Sequence, residues 1–279
     1  MLRRPFTILF SLLAALYPQS VQSNTYNWLP SPDSLNTIIQ LVKVPDDYDR
    51  IVVEKGSFAN WLRHLPLKKE QDKIYQYDGN PVTTHNANYA VVEIDIGDSD
   101  LLQCADAIIR LRAEFLFSKE LHNSISFTFT SGDTADYKKW RDGYRPRVKE
   151  NRVEWLKMNA VDSSYSSFRE YLDSVFMYAG THSMSRELKK VNSVDSVQIG
   201  DAFVLGGFPG HAVLVADMAV NAATGRILLL LIQGFTPAQD IHIIKNESRN
   251  DGLPWFEMPP GTTLEILHWI FSEEHLRRF

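Results

Sequence analysis

The sequence predicts an α+β fold in which a cysteine-bearing helix packs on an antiparallel sheet. Three observations predict it. Ala90-Val91-Val92-Glu93-Ile94-Asp95-Ile96 alternates as a strand and runs into the helix-start signal Asp98-Ser99-Asp100. Leu101, Cys104, Ala105, Ile108, Leu111 and Phe115 then recur at helical spacing, which places Cys104 on the apolar face near the helix start. Beyond Ile199, four apolar runs follow one another: Ala202 to Leu205, His211 to Ala216, Ile227 to Gln233 and Asp240 to Ile244. Gly206-Gly207, Pro209-Gly210 and Thr224-Gly225 punctuate them, the pattern of a meander.

Taken in order, Met1-Leu2-Arg3-Arg4, the apolar stretch from Pro5 to Leu16, and Val21-Gln22-Ser23 form an export signal over residues 1–23. The apolar run is too short to span a membrane, and no cysteine follows the cleavage site to carry a lipid. The mature chain is therefore expected to be exported, periplasmic or secreted, with no membrane span. Residues 24–89 read as an N-terminal elaboration. It holds a loop from Asn24 to Asn36, a short helix near Thr37 to Val42, a strand at Ile51-Val52-Val53 and a helix from Phe58 capped by Ser57.

Residues 90–279 form the main domain. Its cysteine helix is expected from Ser99 to about Leu121, followed by a strand over Ser126 to Thr130. Asp136 to Arg147 is a polar, aromatic insertion in which Trp140, Tyr144 and Arg145 offer stacking faces and forked donors suited to a binding cleft. Helices are expected over Ser163 to Tyr178 and Ser183 to Lys190. The net charge of -5 and the scatter of Lys and Arg among acids leave no basic stripe, so nucleic acid is not an expected partner.

An exported chain with a single cysteine cannot use it in an internal disulfide. Cys104 is either a small buried hydrophobe or a retained thiol. Near a helix N-terminus the dipole favours a thiolate, and a histidine beside it can take the thiol proton and return it to a leaving amine. His211 opens its strand and is the candidate base; Gln233 ends the next strand and is placed to orient the imidazole. The Cys104 N–H and the Gln103 side chain are candidate oxyanion donors. Asp240 and His242 share a strand face, but without a His-Glu-x-x-His or paired-cysteine spacing no metal and no cofactor is expected. Asp106 reads as a helix-surface charge, and His64, His85, His122, His182, His268 and His275 as ordinary surface or packing residues.

Val197-Gln198-Ile199-Gly200-Asp201-Ala202-Phe203-Val204 followed by Pro209-Gly210-His211-Ala212-Val213-Leu214-Val215 resembles the segment of NlpC-type cell-wall peptidases in which a Gly-Asp strand start precedes a Gly-His strand. That resemblance implies a papain-like core with Cys104 and His211 as the catalytic pair and a polar third residue on the next strand. The chain departs from the pattern at the helix, where Gln103 and Ala105 flank the cysteine in place of Asp and Ser, and in the longer hairpin from His211 to Gln233. Over nearly the whole mature chain the sequence also resembles an uncharacterised family of exported bacterial proteins, mostly from Bacteroidetes. Phe58-Ala59-Asn60-Trp61-Leu62, Leu102-Gln103-Cys104-Ala105-Asp106-Ala107, Phe129-Thr130-Ser131-Gly132-Asp133 and Pro237-Ala238-Gln239-Asp240 are the hallmarks.

The expected function is an exported cysteine hydrolase that cleaves amide bonds in a cell-envelope peptide or glycopeptide such as that of peptidoglycan. The alternative is a catalytically inactive module of the same fold, binding envelope or partner through the Tyr137 to Arg147 insertion. An enzyme needs Cys104 and His211 at one solvent-reachable cleft; the alternative needs only their burial.

Overall fold

The computed structural model describes residues 25–33, 35–69, 73–84 and 87–279. The expected export signal, Asn24 and His85 lie outside them. His211–Val220 is buried almost end to end, as its unbroken apolar run requires of a strand covered on both faces, and it forms the middle of a nine-stranded sheet. The main path of that sheet runs Asn88–Val91, His242–Ile244, Ile227–Gln233, His211–Val220, Ala202–Leu205, Leu276–Arg278 and Lys189–Lys190, each pair antiparallel. Asp49–Arg50 pairs with the far end of the His211 strand, and Trp255–Glu257 with the start of the Ile227 strand. The four strands from Ala202 to Ile244 are neighbours in sequence and in space, so the expected meander is present. The fold is α+β with a large antiparallel sheet.

The helix that packs on this sheet spans Cys104–Ser118, shorter than expected at both ends. Its start is set by a local exchange: a carboxylate oxygen of Asp106 accepts the Gln103 N–H at 3.1 Å, so Gln103 is the cap and Cys104 the first helical residue. Asp98-Ser99-Asp100 caps nothing and lies in the turn before. A second helix, Tyr165–Tyr178, begins where the Ser164 hydroxyl accepts the Ser167 N–H at 3.2 Å.

Residues before Asn88 share the same core. Tyr26, Ile38, Trp61, Leu62 and Leu65 are buried in one apolar cluster with Ile108 and Phe115 of the cysteine helix and Val213 and Val215 of the sheet. Ser57 caps Phe58–Arg63 as expected, accepting from Asn60 N–H at 3.1 Å. Ile51-Val52-Val53 does not form the expected strand. The strand covers only Asp49–Arg50, one further hydrogen bond runs from the Ile51 N–H to the Met218 carbonyl at 3.1 Å, and Val52 stands 98% exposed.

The insertion after Asp136 is built, not a loop. Tyr137–Arg141 is a helical turn, and Tyr144–Lys149 pairs with Arg152–Lys157 in a two-stranded ribbon. The alternation of Tyr144, Pro146 and Val148 with Arg145, Arg147 and Lys149 carries a strand period that the charge count hides. No helix among the described residues is long and apolar enough to cross a membrane.

Candidate active site

Sheet parity brings the first pair of polar groups together. Ile232 lies opposite Leu214 with no register break beyond it, so Gln233 and His211 point to the same face of neighbouring strands. The His211 Nε2 and Gln233 Oε1 are 2.8 Å apart, and both side chains are buried. The cysteine helix closes on this face. A Cβ on Gly234 would meet the Gln103 carbonyl oxygen at 2.8 Å and the Ala107 Cβ at 3.0 Å, so only glycine lets the end of the Gln233 strand touch the first helical turn.

Cys104 and His211 both line one cleft of about 600 Å³. The thiol lies close enough to the start of the histidine strand for the Ala212 N–H, next in chain to His211, to favour its thiolate form. The cleft is also lined by Phe176, Met177, Gly180, Thr181, Phe208 and Phe235. Gly210 must also be small: a Cβ there would sit 2.2 Å from the Thr181 hydroxyl and 2.7 Å from the Leu205 carbonyl.

The electrostatics differ from the sequence expectation. Burial pushes the Cys104 thiol up to about 11, the Asp106 carboxylate adds to the rise, and the N–H groups of Ala212, Ala105 and Cys104 only partly offset it. Desolvation here outweighs the helix N-terminus. Burial also pushes His211 down to about 4, with Gln233 opposing and His268 adding to the fall. At neutral pH the resting pair is a thiol and a neutral imidazole rather than an ion pair.

Asp106 is not the surface charge the sequence suggests. It is 5% exposed and lines the same cleft; one oxygen caps Gln103 and the other is buried with no partner. Burial pushes its carboxyl up to about 8. Gln103 is the helix cap, and its side chain is tied, its Nε2 donating to Asp100 at 3.1 Å and its Oε1 accepting from Thr236 at 3.1 Å. It lines the cleft, but the amide hydrogen given to Asp100 is spent.

Trp140, Tyr144 and Arg145 do not line this cleft, correcting their expected role there. The Trp140 indole is buried and donates to Ser167 at 3.1 Å, while the Arg145 guanidinium lies 3.8 Å over it and donates to the Trp140 and Tyr144 carbonyls. Their stacking and donor capacity are used internally. Asp240 and His242 do not combine either. The Asp240 carboxylate accepts from Lys68 and from the Tyr75 N–H, and His242 turns toward Gln233.

Sequence reasoning missed the C-terminal hairpin Leu264–Ile266 and Trp269–Phe271, which brings His268 and Trp269 to the cleft. The Trp269 ring lies nearly flat on His211, 5.2 Å away at 16°, with Phe235 edge-on at 5.3 Å. His268 is thus a cleft residue and not ordinary surface. Trp269→Ala is expected to admit water to the imidazole and lift its proton affinity toward the ordinary histidine range. An NMR titration of His211 reads the shift, and an unchanged titration would assign its burial to other neighbours.

A family model described as Domain of unknown function (4846) matches residues 38–278. The chain belongs to that family. The matched span takes in every residue of the cleft, the whole sheet and the helices that cover it. No curated protein and no solved structure matches the chain. In this member of the DUF4846 family, the reading of the cleft rests on its own geometry.

Proposed function

We propose that the protein is an exported cysteine hydrolase with a papain-like, NlpC-type core that cleaves amide bonds in a cell-envelope peptide or glycopeptide. The observation that carries this reading is the convergence of Cys104 at the first helical position and His211 at a strand start on one open cleft, with Gln233 at the next strand end bonded to His211 and buried behind it. With Nε2 of His211 bonded to Gln233, Nδ1 is the ring atom left to act on the thiol. Cys104 Sγ attacks a carbonyl carbon as its proton passes to Nδ1. The oxyanion is held by backbone N–H groups of the first helical turn. The proton is then delivered to the amine as the C–N bond breaks, leaving a thioester that water hydrolyses. The export signal over residues 1–23 and the peptidase-like Gly-Asp and Gly-His segments support a periplasmic or secreted envelope substrate.

The inactive-module alternative is favoured by one observation, the burial of Cys104 and His211, which pushes the thiol up. Alkylation of Cys104 in the folded protein across pH, with and without His211→Ala, separates the two. Hydrolase chemistry predicts native-state modification that slows by roughly 10²-fold when the base is removed. A thiol modified only after unfolding, together with no release of peptides from peptidoglycan fragments, overturns the hydrolase reading.

A further inference from the structure

The hydrogen-bond chain from His211 does not end at Gln233. The Gln233 Nε2 lies 3.1 Å from His242 Nε2, and His242 Nδ1 lies 2.9 Å from the main-chain carbonyl of Asp240. His242 is fully buried and sits directly opposite Gln233 in the sheet register. The Asp240 end is fixed in turn, because its carboxylate is held by Lys68 at 2.7 Å and by the Tyr75 N–H at 3.0 Å.

Hydrogen-bond direction along this chain is set from its far end. A carbonyl oxygen only accepts, so His242 Nδ1 must carry the proton, and a neutral ring then offers a lone pair at Nε2. That lone pair requires the NH₂ of Gln233, which turns the amide oxygen toward His211. The oxygen in turn requires a proton on His211 Nε2 and leaves Nδ1 bare. An amide alone cannot make this choice, because it presents a donor or an acceptor equally well after a flip.

We infer that His242 is a positioning residue that fixes the tautomer of His211 through the orientation of Gln233. The inference rests on the reading of Cys104 and His211 as the reacting pair. A mis-set tautomer leaves the geometry intact and removes the base, the same logic that makes the orienting carboxylate of serine proteases matter.

The test uses full-length mature protein labelled with ¹⁵N-histidine. The ring-nitrogen spectrum is expected to show His211 protonated at Nε2 and His242 at Nδ1. In His242→Phe the His211 ring should shift toward a mixture of tautomers, with a fall in the native alkylation rate of Cys104 of roughly tenfold or more. In a Gln233→Glu background both side-chain oxygens accept, no flip is possible, and the same His242→Phe change should leave the His211 tautomer unmoved. A purely structural role for His242 would perturb both backgrounds alike and overturn the inference, as would a wild-type His211 protonated at Nδ1. Where the variant folds poorly, the wild-type spectrum still overturns the inference if His242 carries its proton at Nε2 or His211 at Nδ1. An inert thiol beside the expected tautomers would defeat the hydrolase reading while leaving the positioning role of His242 standing.

Discussion

Asp106→Asn is expected to make the protein more stable at about pH 8 and to remove the loss of stability that Asp106 contributes as pH rises from about 4 to about 8. The sign follows from the direction of the shift. In the unfolded chain the carboxyl ionises near the ordinary value of about 3.9, whereas burial holds the folded group protonated up to about 8. The folded state therefore binds the extra proton between these values, and its stability falls with each unit of pH across that window. A shift of that size corresponds to an upper bound of about 5 kcal/mol by the time the group has ionised. His211 acts in the opposite sense. Its folded value near 4 lies below that of a free histidine, so its contribution is present above about pH 6.5 and lost as pH falls toward 4. The two slopes oppose each other in the acid half of the window. The uncompensated alkaline loss belongs to Asp106, and denaturant melts at a series of pH values read it.

Asparagine at this position resembles the protonated acid in shape and keeps an oxygen to cap the Gln103 N–H, so variant and wild type should match near pH 4 and diverge progressively from there to about pH 8. Parallel curves for the two proteins would show that Asp106 ionises normally. The same variant should also speed Cys104 alkylation above about pH 8, where the wild-type carboxylate opposes the thiolate. Coupling of the two readouts ties the stability of the helix start to the chemistry of the cleft.

The parts of the site that follow strand and helix periods were legible in the sequence. His211 and Gln233 begin and end adjacent apolar runs, and the period of two places them on one face. Cys104 was placed near a helix start by its 3.6-residue pattern. The start itself was misread because Asp98-Ser99-Asp100 is a stronger capping signal than Gln103-x-x-Asp106, and the choice between them depends on contacts from Gly234 and Thr236, in the loop that follows a distant strand. Asp106 failed for the same reason: whether a helical residue meets solvent depends on what the rest of the fold packs over it, and here it is left 5% exposed. Trp269 carries no local signal for its role, since its value lies in stacking on His211 across the fold. The relay through His242 was half visible. The Asp240-x-His242 pattern marked the position, but the period of two paired the wrong groups, because the ring bonds the Asp240 main chain and not its carboxylate.

The largest stability effect is expected at the opposite end of the histidine strand, at Asp217. This carboxylate is fully buried, stands at the register shift between Leu230 and Leu231, and accepts from Arg50 Nε at 2.6 Å, Arg63 Nε at 2.8 Å, Arg63 Nη2 at 2.6 Å and the Met218 N–H at 2.8 Å. Both arginines come from the segment before Asn88, so one aspartate fastens that segment to the strand that starts with His211. Asp217→Ala leaves two guanidinium groups without their anion, Arg63 almost entirely out of water. Breaking one side of a buried pair costs about 3–5 kcal/mol, which for a chain of this size lowers Tm by roughly 10 °C. The attraction in the intact site mainly offsets the desolvation of its charges, so replacing all three residues with leucine should recover most of the loss. A thermal melt of the single and triple variants decides the point. A mild effect in Asp217→Ala would mean that water reaches the arginines and that the N-terminal segment is held by its apolar contacts, Trp61 and Leu62 foremost. A severe effect that the triple variant does not relieve would mean that the aspartate, through its bond to the Met218 N–H, shapes the strand itself, and with it the placement of His211.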